Sequence, residues 1–177
     1  MMFSDCKRLV KGPKFTNLKS IGDYGLERAF RGCSILSSVE LPSTPISLGK
    51  YGCREAFSGC DIKTVENLNL SGIGPNGCKG MFLSCSDLEK VDGLSVENFN
   101  AYALSGMFSD CSSLTSVQDL YIDNSEYTNK KNGRSRCESM FQNCNSLLSV
   151  GGIIKGVYAQ YALRNMFSNC NSLKDAS

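Results

Sequence analysis

Ten cysteines are the residues of this 177-residue chain best suited to chemistry, whether as nucleophiles, metal ligands or disulfide partners. They have no imidazole to work with, because the sequence contains no histidine. That excludes Ser-His-Asp and Cys-His nucleophile systems, histidine metal sites and histidine pH switches. Thiol-only metal binding has to be weighed, since Cys53 and Cys60, Cys78 and Cys85, and Cys137 and Cys144 each stand seven residues apart, and stacking could unite two pairs. The spacing is not that of Cys-x-x-Cys knuckles, however, and leucine takes the place of the first thiol elsewhere in the chain. The expectation is buried packing thiols, with no metal, no cofactor and no structural disulfide.

Position makes these cysteines more informative than type. Seven follow a phenylalanine by three residues: Phe3 and Cys6, Phe30 and Cys33, Phe57 and Cys60, Phe82 and Cys85, Phe108 and Cys111, Phe141 and Cys144, Phe167 and Cys170. Successive phenylalanines are 27, 27, 25, 26, 33 and 26 residues apart, a self-similarity in the range of solenoid repeats. Apolar residues precede each ring, so that Leu104, Met107, Phe108 and Cys111 stand at i, i+3, i+4 and i+7. This spacing predicts a short helix with one buried face in every repeat. Serine, asparagine and aspartate crowd the junctions, as in Ser109-Asp110-Cys111-Ser112-Ser113, and predict that the helix stops near the cysteine.

After the cysteine, Leu36, Val39 and Leu41 of the second repeat are matched by Leu88, Val91 and Leu94 and by Leu114, Val117 and Leu120, which predicts a short extended segment. The third repeat, Cys60-Asp61-Ile62-Lys63-Thr64-Val65, is one residue short there and predicts a local kink. One helix and one strand cannot bury their apolar faces alone, whereas stacked copies make a continuous core. The expected fold class is therefore α/β: a single solenoid domain over 1–177 of about seven repeats, each with one short strand and one short helix. A parallel sheet forms one face and the helices form the opposite wall. The long interval before Phe141 is absorbed by an inserted loop near 121–136.

Residues 29–42, Ala-Phe-Arg-Gly-Cys-Ser-Ile-Leu-Ser-Ser-Val-Glu-Leu-Pro, together with Ile21-Gly22 before them, resemble the BspA-like leucine-rich repeat of bacterial surface proteins. The later Met-Phe-x-x-Cys-x-x-Leu units are similar to its Met-Phe variant. The resemblance implies a leucine-rich-repeat solenoid, display at the cell surface or secretion, and adhesion to a host or cell-surface protein or glycan. It assigns no residue to that task. Spacings of 25 to 27 residues exceed the family's common shorter unit, and the insertion is a second departure.

Residues flanking the central valine of each strand should point outward and align in columns. One column holds Ser38, Thr64, Lys90, Ser116 and Ser149, the other Glu40, Glu66, Asp92, Gln118 and Gly151. The candidate ligand-binding face is thus Ser38, Glu40, Glu66, Lys90, Asp92, Ser116 and Gln118. Its three successive acids would suit a cation or a basic ligand; a merely hydrated sheet face is the alternative. A second candidate is the basic loop, where Lys130, Lys131, Arg134 and Arg136 cluster with Tyr121 and Tyr127 and Asn132-Gly133 favours a tight turn. This loop would suit an acidic partner, or would simply be a solvated insertion.

Nineteen basic against seventeen acidic residues leave a net charge of +2, too small to imply nucleic-acid binding. No apolar run reaches the eighteen residues of a membrane-spanning helix, and the first residues show no export signal. Gly72-Ile73-Gly74-Pro75-Asn76-Gly77 reads as a turn between repeats rather than a phosphate cradle, and no nucleophile and base stand paired, so no catalytic residue is assigned. Neither end reads as a capped solenoid terminus, which suggests a module of a longer array or end-to-end self-association. The function expected is non-catalytic recognition; a structural spacer or assembly element of a surface or viral appendage is the alternative.

Overall fold

The structure, a computed structural model, describes residues 2–15, 17–42, 44–126, 136–157 and 160–177. Among these residues ten strands follow one another: β1 (Lys11–Lys14), β2 (Ser20–Ile21), β3 (Ser38–Glu40), β4 (Ile46–Leu48), β5 (Thr64–Glu66), β6 (Asn69–Ile73), β7 (Lys90–Asp92), β8 (Ser95–Phe99), β9 (Ser116–Asp123) and β10 (Ser149–Lys155). All pairings are parallel, so the chain is a β-solenoid in which each coil contributes to two strand columns. The first column contains β1, β3, β5, β7 and the starts of β9 and β10; the second contains β2, β4, β6, β8 and the ends of β9 and β10. Left-handed residues at Asn67 (φ 52°), Gly93 (φ 65°) and Asp119 (φ 50°) turn the chain from one column to the other.

The expected helix in each repeat is not there: the described residues contain no helix, and the opposite wall is a ladder of turns. In the second coil, Gly25, Ala29 and Cys33 donate their N–H to the carbonyls of Gly22, Leu26 and Phe30 at 3.1 Å, closing three consecutive four-residue turns. The third residue of each turn is left-handed, with φ of 58° at Tyr24, 53° at Arg28 and 70° at Gly32. The intervening N–H groups of Tyr24, Leu26, Arg28, Phe30 and Gly32 do not turn back into the chain. They donate forward to Lys50, Gly52, Arg54, Ala56 and Ser58 of the next coil at 2.7–2.9 Å. The same forward direction recurs from Phe57 to Met81, Phe82 to Met107, Phe108 to Met140 and Phe141 to Met166.

The physical reason for the difference lies in the spacing itself. A run of four-residue turns places the first and fourth residue of each turn inward, which again gives i, i+3, i+4 and i+7; over eight residues it cannot be told from a helix. A helix that short would leave its first four N–H and last four C=O groups without partners, whereas the ladder pairs them with neighbouring coils. Small polar residues or glycine at one left-handed column, with Gly32, Gly59, Ser84, Asp110, Asn143 and Asn169, tolerate the turn and would break the helix.

The interior is filled by the column the repeat announced. Phe3, Phe30, Phe57, Phe82, Phe108, Phe141 and Phe167 stack face over face, with successive ring centroids 5.3, 5.3, 5.6, 5.4, 5.5 and 5.7 Å apart. Leu36, Ile62, Leu88, Leu114 and Leu147 seal one side of this stack, and Leu70, Val96, Phe99 and Ile122 of the second strand column are equally buried. At the left-handed corner, Asn169 donates to Asn143 at 2.7 Å and Asn143 to Asp110 at 2.6 Å, a side-chain ladder that continues the coil-to-coil bonding outside the core.

The short third coil has a structural outcome. Among the described residues no pairing joins β3 to β5, so β1 and β3 form a two-stranded sheet apart from the larger one. Coil two leaves β3 through Leu41-Pro42, and Pro42 has no N–H to offer a ladder.

Candidate functional site

The outward columns form in the expected register over most of the first strand column. Thr64 lies opposite Lys90, Lys90 opposite Ser116 and Ser116 opposite Ser149, while Glu66 lies opposite Asp92 and Asp92 opposite Gln118. Ser38 and Glu40 are set across the unpaired gap from these and align instead with Lys11 and Lys14. The valines between them turn inward: Val65, Val91, Val117 and Val150 are buried and Val39 is half-buried. Strand alternation therefore brings Glu66, Lys90, Asp92, Ser116 and Gln118 onto one side of the larger sheet.

Charges on this face are partly matched already. Lys14 reaches Glu40 at 2.8 Å and Lys90 reaches Asp92 at 2.7 Å. The hydrogen bond to Asp92, then its charge, holds the Lys90 ammonium above its usual range, and Glu66 and Asp119 add to it. Glu66 and Gln118 stand exposed.

The gap between β3 and β5 is a slot of 170 Å³ lined by Val39, Leu41, Ile62, Thr64, Val65, Glu66 and Phe82. Of these residues only Glu66 belongs to the candidate ligand-binding face read from the sequence; the slot itself was not expected. The missing residue of the third coil and Pro42 were the signals that could have found it.

The turn ladder carries the other organised polar cluster. Glu55 accepts from Arg28 at 2.8 Å and lies 3.5 Å from Arg31 and 3.3 Å from Arg54, which also reaches Glu27 at 3.4 Å. Burial pushes the Glu55 carboxyl up, but the hydrogen bond and charge of Arg28, with Arg54 and Arg31, outweigh it and hold the group below the usual carboxylate range. Tyr24 and Tyr51 stack beside it at 5.2 Å, with Lys50 and Arg54 over the Tyr51 ring. Its ions are mutually paired, which makes it a coil-to-coil clasp.

Of the basic loop, Lys130, Lys131 and Arg134 lie outside the described residues, as does Tyr127. Arg136 is described and only 3% exposed, so it does not belong to a solvent-facing patch. Tyr121 is part of β9, with its hydroxyl donating to Asp123 at 3.1 Å, and Lys155 reaches the same carboxylate at 3.0 Å. The backbone N–H and hydroxyl of Ser125, with Lys155, drive the Asp123 carboxyl far below its usual range.

The ten thiols are free, eight of them buried. Burial pushes Cys53, Cys60, Cys85, Cys137 and Cys144 up to about 12, so they are protonated and poor nucleophiles or metal ligands. No group of three or more ligating side chains is placed to hold a metal among the described residues. The glycine-rich stretch closes as a turn, Gly77 donating to Gly74 at 3.0 Å.

The family model described as "BspA type Leucine rich repeat region" matches residues 1–132 in six copies. A crystal structure of a leucine-rich repeat protein from Bacteroides ovatus ATCC 8483 aligns with 99% of this chain at 19% identity and a TM-score of 0.37. This chain spans 62% of the length of that one. No curated protein matches the sequence.

Proposed function

Since the chain belongs to the BspA-type leucine-rich repeat family, whose repeats match residues 1–132, we propose that it is a non-catalytic recognition module that binds a protein or glycan through the first strand column. Display at the cell surface or secretion is part of this reading, and adhesion is its use. The observation that supports it is the register of Thr64, Lys90, Ser116 and Ser149 beside Glu66, Asp92 and Gln118, which presents polar side chains at the repeat of a parallel sheet, about 4.8 Å. A rigid array of this kind orders its contact groups before a partner arrives, which lowers the entropy lost on binding. The test is to replace Glu40, Glu66 and Asp92 by lysine and measure binding to host-cell proteins and to a glycan array. Weakened or redirected binding is expected; affinities identical to the parent would rule out this face.

A second reading is a spacer or assembly element that associates through its ends. Exposed Ile153, Tyr161 and Leu163 in the late coils favour it. A mass that rises with concentration in sedimentation, and returns to the monomer value when Ile153 and Leu163 are replaced by serine, would support it.

A further inference from the structure

We propose that the slot between β3 and β5 receives an arginine side chain of a partner protein. This inference rests on the recognition reading above and names the chemistry of the partner for one part of that face.

The slot exists because the sheet is interrupted. Coil three is one residue short after Cys60 and Pro42 cannot donate, so the backbone groups of Ser38–Glu40 and Thr64–Glu66 that would pair across a continuous parallel sheet face the opening instead. Val39, Leu41, Ile62, Val65 and Phe82 line it together with Thr64 and Glu66, and polar atoms make up most of the surface it exposes. Its 170 Å³ lies below the ~300 Å³ at which small-molecule pockets begin, and suits one inserted side chain.

Three features select the occupant. The acids Glu66 and Glu40 on the two flanking strands repel an anion and attract a cation. Lys14 already meets Glu40, which leaves Glu66 as the carboxylate available to an incoming charge. The apolar side chains in its lining can cover a stem of methylenes behind that charge, as lysine and arginine have. Carbonyl oxygens in the gap then favour arginine, whose five donors in a planar fork can serve the carboxylate and backbone acceptors together and whose guanidinium is more weakly hydrated than an ammonium. The slot would anchor the partner as a buried pocket does at an interface hot spot, while the outward columns supply the surrounding contacts.

The test is an amide-resolved NMR titration of the full chain with Nα-acetyl-argininamide, with its neutral citrulline analogue, and with the short-stemmed diaminopropionate analogue. Saturable shifts at Val39, Leu41 and Ile62 to Glu66 are expected with the arginine compound, with affinity about tenfold weaker for either analogue. Glu66→Gln, at an exposed position, and Val39→Phe, which fills the slot without changing charge, should each weaken it by a similar factor. Equal binding of the arginine and diaminopropionate compounds, shifts spread over other coils, or no saturable shift at tens of millimolar would overturn the proposal. If lysines at Glu40, Glu66 and Asp92 abolish partner binding while Val39→Phe leaves it intact, the slot is wrong and the recognition face stands.

Discussion

The thiol of Cys111 donates a hydrogen bond of 3.2 Å to the carbonyl oxygen of Phe82, one coil earlier. The relationship is repeated from Cys33 to Phe3, Cys60 to Phe30, Cys85 to Phe57, Cys144 to Phe108 and Cys170 to Phe141, at 3.0–3.2 Å. Phe-x-x-Cys is therefore a two-way connector. The ring stacks on both neighbours, the phenylalanine N–H reaches forward, and the thiol reaches back. Cysteine suits this place because it is small, apolar and still a weak donor.

These thiols make stability depend on alkaline pH. An unfolded thiol titrates near 9.0, whereas Cys60, Cys85 and Cys144 in the fold are pushed up to about 12 by burial. The folded value is the higher one, so the stabilisation is complete below the unfolded value and is lost as pH rises from there towards the folded value. A urea midpoint that is level through neutral pH and declines above about pH 9 is expected. Replacing Cys85, Cys111 and Cys144 together by alanine should lower the midpoint at neutral pH and reduce its alkaline slope; a parent midpoint unchanged at pH 10 would contradict the thiol account.

The phenylalanine stack should be most costly to interrupt at its middle. Phe108 is fully buried between Phe82 and Phe141, and Phe108→Ala should destabilise by about 3–5 kcal/mol in equilibrium unfolding. Phe3, half-buried with a neighbour ring at Phe30, should cost clearly less on the same change. Equal losses at the two positions would mean that stacking depth does not govern the core.

Left-handed corners give a prediction of opposite sign. Ser84 sits exposed at φ 57°, in the column where Gly32 and Gly59 stand in other coils. Ser84→Gly should raise stability by up to ~1 kcal/mol, the relief of left-handed strain less glycine's greater unfolded entropy. Asn143→Ala, which keeps the strain and removes the bonds to Asp110 and Asn169, should lower it by a similar amount. Thermal midpoints of the two variants on opposite sides of the parent are the expected result.

The repeat register was legible in the sequence because phenylalanine and cysteine recur in a fixed relation, and that relation alone identifies the inward column and the outward pairs Glu66–Asp92 and Lys90–Ser116. The turn ladder was not legible, since its inward spacing duplicates a helix over the eight residues from Leu104 to Cys111. The second strand column was hidden for a different reason. In β6 and β8 the buried residues are Leu70 and Ile73, and Val96 and Phe99, three apart instead of two, because Gly72 (φ 69°) and Asn98 (φ 52°) each insert a left-handed step. β10 departs the other way: it is one residue shorter than β9 between Val150 and Gly152, so Gly152 falls opposite Leu120 and Ile153, opposite Tyr121, is 55% exposed. The candidate face was thus readable where coils are regular, and the slot was not, because it arises from a residue that is missing.

The forward N–H bonds of the turn wall all run the same way, from Phe3 to Ala29 through to Asn143 and Ser168. In ordinary sheets neighbouring peptide dipoles largely cancel, but here they add along the axis as they do in a helix. This wall is consequently polarised along the solenoid axis, negative towards its early coils and positive towards its late ones.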